Sequence, residues 1–266
     1  MRSRAGGVVV PAGLAVAFGV AFVVAPAPVA ALRPGRGFAD QAHLAGQLRV
    51  AFAEYWQSGD GPFSPSMAGV VDYWLRYHLV KAVTAALLFA VLAVLGVRLW
   101  TAFTRGASRL AAAGVVVTMS AVFSLALVMA NVQGSVSPFA SLLPMLVDGP
   151  GSGADGVTLA QVRQQLAAGG RASPPLQVMI DDFARYHAAM AVIAALVAAG
   201  LAAFGVLLWR RFTGTAPAER RTRRVLASFG VLTGLLLLVA GVIAVANTTT
   251  VVDPAPALLA FFEGGW

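Results

Sequence analysis

Cysteine is absent from the 266 residues, which excludes a disulfide framework and a thiolate metal site and removes thiols as a clue to redox compartment. Lysine occurs once, as Lys81, histidine three times, and charged residues of all kinds make up only 11%. A water-soluble domain carries more than twice that share of charge. What fills the chain instead is apolar: 59% hydrophobic residues and a mean hydropathy of +0.79. The composition is that of a membrane protein, and its Ala, Gly, Val and Arg bias points to a bacterial source.

Acidic residues are scarcer still, eleven against nineteen basic ones, so the formal charge is +8. Such a surplus raises the question of nucleic acid, and its distribution answers it. Apolar runs at roughly 6–32, 77–97, 110–131, 186–209 and 225–247 each have the length that crosses a hydrocarbon core of ~30 Å. With the N-terminus inside, the inner segments hold eleven arginines (Arg2, Arg4, Arg98, Arg105, Arg109, Arg210, Arg211, Arg220, Arg221, Arg223, Arg224) against Glu219 alone, a net +10. The outer segments then net −2. This is the positive-inside asymmetry. The basicity reports topology, and the expected partner is the lipid bilayer, with other membrane proteins and without nucleic acid.

The predicted fold is therefore all-α and integral to the membrane, with five transmembrane helices, the N-terminus inside and the C-terminus outside the bacterial inner membrane. Residues 1–32 form the first span; its Arg-rich start and Val29-Ala30-Ala31 end would also suit a cleaved signal peptide, and retention is the preferred reading. Residues 33–71 are external. There Leu44, Leu48, Phe52 and Tyr55 recur at helical spacing, with Asp40, Gln41, Arg49 and Glu54 on other faces, which predicts an amphipathic helix from about 40 to 57 ended by Gly59, Gly61 and Pro62. Residues 72–131 form a hairpin of two spans around the turn Thr104-Arg105-Gly106. Residues 132–180 are external again, with an apolar piece at 138–147, a glycine-rich loop at 148–153 and a second amphipathic helix whose start is read from a capping box, Thr158 with Gln161, and whose end is Gly169-Gly170. Residues 181–247 make the second hairpin, and 248–266 an interfacial tail anchored by Trp266.

The string Asp72-Tyr73-Trp74-Leu75-Arg76-Tyr77-His78 returns as Asp181-Asp182-Phe183-Ala184-Arg185-Tyr186-His187. The same offset of 109 relates Ser64-Pro65 to Ser173-Pro174 and Trp100 to Trp209, while an offset of 116 relates Asn131 to Asn247 and Pro138 to Pro254. A duplicated two-helix hairpin explains both. An even number of spans per copy predicts a pseudo-twofold along the membrane normal.

Ala82, Ala86 and Ala90, matched by Ala191, Ala195, Ala199 and Ala203, form stripes of small residues that let helices approach closely in lipid. His78 and His187 extend those stripes by one turn, which predicts that they face the bundle interior, with Asn131 and Asn247 returning to a similar depth.

Arg76, Tyr77, Arg185 and Tyr186 are explained by anchoring at the interface, with Asp72 and Asp181 near helix N-termini. Two sharper readings use the same residues. Axial imidazoles from His78 and His187 could hold a haem b between facing helices. Alternatively Arg76, Tyr77, His78, Arg185, Tyr186 and His187, with Asn131 and Asn247, could bind a quinone, a lipid head group or a small anion, transport included. No catalytic signature is present: the six-residue spacing of Asp72 with His78 does not put both on one helix face, His43 stands apart, and the loop at 149–153 lacks the strand-to-helix context of a phosphate site. Metal ligands and catalytic residues are not assigned. The expected role is a non-enzymatic accessory or scaffold subunit acting through the external face, the main alternative being a bis-histidine haem b or quinone electron-transfer subunit.

Overall fold

The computed structural model describes residues 2–32, 37–147 and 154–265, and among these there is no strand. Ten α-helices follow one another: α1 (Arg2–Val24), α2 (Pro26–Ala30), α3 (Gln41–Ser58), α4 (Pro65–Thr104), α5 (Ala111–Val136), α6 (Pro138–Val147), α7 (Ala154–Ala168), α8 (Pro174–Gly214), α9 (Arg220–Val252) and α10 (Pro254–Phe262). Four of them, α4, α5, α8 and α9, are long and apolar enough to cross a membrane, and α1 contributes a shorter apolar stretch, Val9–Val24. The chain is an all-helical protein of membrane type.

Helix length carries a consequence. A span needs about 20 residues at 1.5 Å each, whereas α4 has 40 and α8 has 41. Each therefore has about half its length to spare. The two copies of the Arg-Tyr-His string fall in the N-terminal halves of these helices. Asp72 and Asp181 consequently sit seven residues inside their helices, which begin at Pro65 and Pro174, and not at the N-termini where the sequence places them.

The helix punctuation is otherwise close to expectation. Asp40 accepts the backbone N–H of His43 at 2.8 Å and caps α3, and Gly59 ends it at φ +70°, a left-handed conformation open chiefly to glycine. Gly106 at φ +111° turns the chain after α4, and Gly169 at φ +61° ends α7. The capping box expected at Thr158 and Gln161 is not there. Helix α7 already begins at Ala154, Thr158 is buried inside it, and the Gln161 side chain instead accepts the indole N–H of Trp56 at 2.9 Å. The sequence offered a capping pattern, but packing against α3 claimed the glutamine. The glycine-rich loop at 148–153 and Trp266 lie outside the described residues.

The chain divides into two compact units. The first comprises 1–23, 81–130 and 190–246. Its helices touch through small and polar residues: the buried Ser124 hydroxyl donates to the Ala85 carbonyl at 2.9 Å, and the Trp100 indole donates to Thr118 at 3.0 Å while lying over Gly114. The alanine stripes are not its packing face. Ala82 is buried, but the covered face continues through Ala85, Leu92, Leu95 and Leu99, leaving Ala86 and Ala90 exposed. On α8 Ala194 is buried while Ala195, Ala199 and Ala203 are exposed. Four-residue spacing drifts around a 3.6-residue helix, so a stripe of several alanines leaves the contact line after one turn.

The second unit comprises 24–80, 131–189 and 247–266. It holds one hydrophobic core, in which Leu48, Tyr55, Met67, Leu142, Leu143, Leu176, Met179, Leu258 and Phe262 are among the fully enclosed residues. Helix α3 packs on α6 and α7, and α7 packs on α10. Tyr55 donates to the Gly61 carbonyl at 2.8 Å, and burial pushes its phenol up to about 12, so it stays neutral and keeps that bond at any ordinary pH. Burying the apolar faces of α3, α6, α7 and α10 against each other is what lets four short helices hold together, since none would persist alone.

Candidate functional site

Each histidine meets an asparagine from the next long helix. His78 of α4 faces Asn131 of α5 with Nδ1 to Oδ1 at 3.0 Å, and His187 of α8 faces Asn247 of α9 at 2.8 Å. An oxygen partner calls for a proton on Nδ1, so both neutral rings are held in the tautomer that leaves Nε2 unprotonated. Both are half-buried, and the stripes from which an inward orientation was expected are not the contact face.

The surroundings differ between the two. The His78 ring stands edge-on to Trp74 at 4.8 Å and to Tyr77 at 6.0 Å, and Trp74 stacks on Tyr77 with an interplanar angle of 3°. The ring lies so close to α5 that a Cβ built on Gly134 would meet it at 2.8 Å. His187 has Phe183 edge-on at 4.5 Å and Tyr186 at 5.5 Å. Beside it opens a cavity of about 290 Å³ walled by α6, α8, α9 and α10.

The charged members of the two strings pair within their own helices. Arg76 binds Asp72 one turn earlier and also donates to the Ala30 carbonyl at 3.2 Å. Arg185 does not use the matching Asp181. It reaches Asp182 at 2.9 Å, while Asp181 is exposed and accepts from Gln177 at 2.8 Å. Asp182, only 7% exposed, also accepts the backbone N–H of Ala140 at 2.8 Å and so closes the N-terminal turn of α6. At that place the first string has Tyr73, buried in the core. Asp182→Ala is expected to lower stability by about 2 kcal/mol, the usual worth of hydrogen bonds to a charged partner, and Asp181→Ala to change little. Thermal unfolding of both variants in detergent, followed by circular dichroism, gives the comparison.

Of the candidate site residues, His78 with Tyr77 and Asn131 forms one set of contacts, and His187 with Tyr186 and Asn247 forms a second. The cavity beside His187 is lined by Tyr186 but by neither His78 nor either arginine. Sequence reasoning missed Gly134, Gln133, Ser141 and Thr250. Gln133 of α5 donates to the Tyr186 carbonyl at 3.1 Å, Ser141 accepts the Trp74 indole N–H at 2.8 Å, and Thr250 lines the cavity. Gly134 alone had a legible signal: three residues beyond Asn131, it shares that residue's helix face. No group of three or more potential metal-ligating side chains occurs among the described residues. Neither a protein-family model, nor a curated protein, nor a solved structure matches the chain.

Proposed function

We propose that the chain is a five-span protein of the bacterial inner membrane, N-terminus inside and C-terminus outside, that serves as a non-enzymatic accessory or scaffold subunit through its external face. The observation that carries this reading is the core shared by α3, α6, α7 and α10 with the N-terminal ends of α4 and α8. Under the charge asymmetry this core falls outside the membrane, and a core of that extent supports a rigid surface rather than loose loops. The reading also takes the chain as a duplication. In support, α3-α4-α5-α6 and α7-α8-α9-α10 run in the same order of medium, long, long and short helices, and α6 and α10 both start at a proline.

A second reading, a bis-histidine haem b or quinone subunit for electron transfer, is favoured by the asparagines. A ligating imidazole is commonly held by a hydrogen bond from its other nitrogen, and both rings have one. The anion-binding or transport reading is less favoured, because Arg76 and Arg185 would have to leave carboxylates on their own helices.

The visible absorption spectrum of the detergent-purified protein, oxidised and reduced, separates the accessory reading from the haem form of the second. The accessory reading expects no Soret band. A band that disappears in both His78→Ala and His187→Ala would replace it with the haem reading.

A further inference from the structure

The cavity beside His187 opens between α6, α8, α9 and α10. Its walls are Ala140, Leu143 and Pro144 of α6, Phe183 and Tyr186 of α8, Ala257, Ala260 and Phe261 of α10, with few polar groups among them. Ser141 is committed in both directions, accepting from Trp74 and donating to the Pro138 carbonyl at 2.9 Å. His187 is different. With Nδ1 turned to Asn247, the neutral ring keeps one acceptor, Nε2.

The two copies of the string show why space exists here. At the position where the first has Trp74, stacked on Tyr77 and bonded to Ser141, the second has Phe183, which is smaller and carries no N–H. An apolar cavity of ~150 Å³ takes a benzene molecule, so 290 Å³ takes a substituted six-membered ring. Phenyl and phenol walls on Phe183, Phe261 and Tyr186 offer edges and faces to such a ring.

We propose that this cavity binds the head group of a neutral aromatic amphiphile of the quinol class, its ring among Phe183, Tyr186 and Phe261 and one hydroxyl donating to Nε2 of His187. Nε2 of His187 gives one hydroxyl an acceptor in a mostly apolar wall, and the other polar groups on that wall, the Tyr186 phenol and the Thr250 hydroxyl, are of a kind that can meet the second. The site rests on the ligand-binding reading of Tyr186 and His187 and not on the scaffold reading, which stands whether or not the cavity is filled.

The test is calorimetric titration of the purified full-length protein, under anaerobic conditions, with tetramethyl-1,4-benzoquinol and with its dimethyl ether. The ether keeps the ring but lacks the donor. The quinol is expected to bind saturably, one per chain, and the ether at least about tenfold more weakly, the worth of one hydrogen bond. Phe183→Trp, which restores the bulk present at position 74, is expected to abolish binding while the helical circular dichroism spectrum is retained. Should that variant fail to fold, Ala257→Leu fills the same space from α10. Absence of saturable binding, equal binding of quinol and ether, or undiminished binding by a folded cavity-filled variant would each overturn the proposal.

Discussion

Single cysteines placed at Asp60 and at Ala216 are expected to react with a membrane-impermeant maleimide from opposite sides of the bilayer. Both positions are exposed, in the segments before α4 and between α8 and α9. Because the native chain has no cysteine, the labelling background is zero and the outcome is all-or-none. The physical basis is the arginine distribution. The segment around Ala216 is bracketed by Arg210, Arg211, Arg220, Arg221, Arg223 and Arg224, and moving such a cluster across the membrane is what the positive-inside bias opposes. Three long helices, α4, α5 and α8, separate the two positions, and an odd number of crossings puts them on opposite faces. A third cysteine at Ser3 tests the first span: five spans require it to label from the same side as Ala216. Labelling of Ser3 from the Asp60 side would remove that span, and labelling of Asp60 and Ala216 from one side would sink the topology altogether.

Gly134→Ala is expected to destabilise the protein even though alanine is the better helix former. Alanine gains about 1 kcal/mol over glycine inside a helix. At Gly134, however, the added Cβ would lie 2.8 Å from the His78 ring, which Asn131 holds on one side and Trp74 and Tyr77 flank on others. Overpacking of this kind costs about 1–3 kcal/mol, so the net change is a loss of about 1 kcal/mol. Placing the same substitution in a His78→Ala background removes the obstacle and should return the propensity gain, a coupling of about 2 kcal/mol between the two sites. Gly46→Ala serves as the control, since nothing lies within 4 Å of a Cβ there. Thermal midpoints of the four variants in one detergent decide the matter. If Gly134→Ala raises the midpoint as Gly46→Ala does, the imidazole is not held where the structure puts it.

Much of the fold was legible because it depends on local features. The long apolar runs, the Asp40 start and Gly59 end of α3, and the glycines at 106 and 169 are read from composition and backbone preference alone. For the candidate site, counting along the helices reached some contacts and not others. Asn131 and Asn247 were placed near the histidines by counting one membrane crossing, and each turned out to be within hydrogen-bonding distance. Identity of letters concealed a difference of contacts: Arg185 prefers Asp182 to the matching Asp181 because Asp182 is the one turned inward to α6. Gln161 and the alanine stripes misled for a related reason. A local pattern offers a role, and whether it is taken depends on which neighbour arrives at that face.

The ion pairs within the two strings bear on how the protein is made. Arg76 with Asp72 and Arg185 with Asp182 lie one turn apart on a single helix, so each pair can form as soon as that turn of helix exists, before any other part of the chain has arrived. The histidine contacts obey a different clock. They join residues 53 and 60 positions apart, and so must wait until neighbouring helices are both in place. The ion pairs thus need only one helix, whereas each histidine contact needs two.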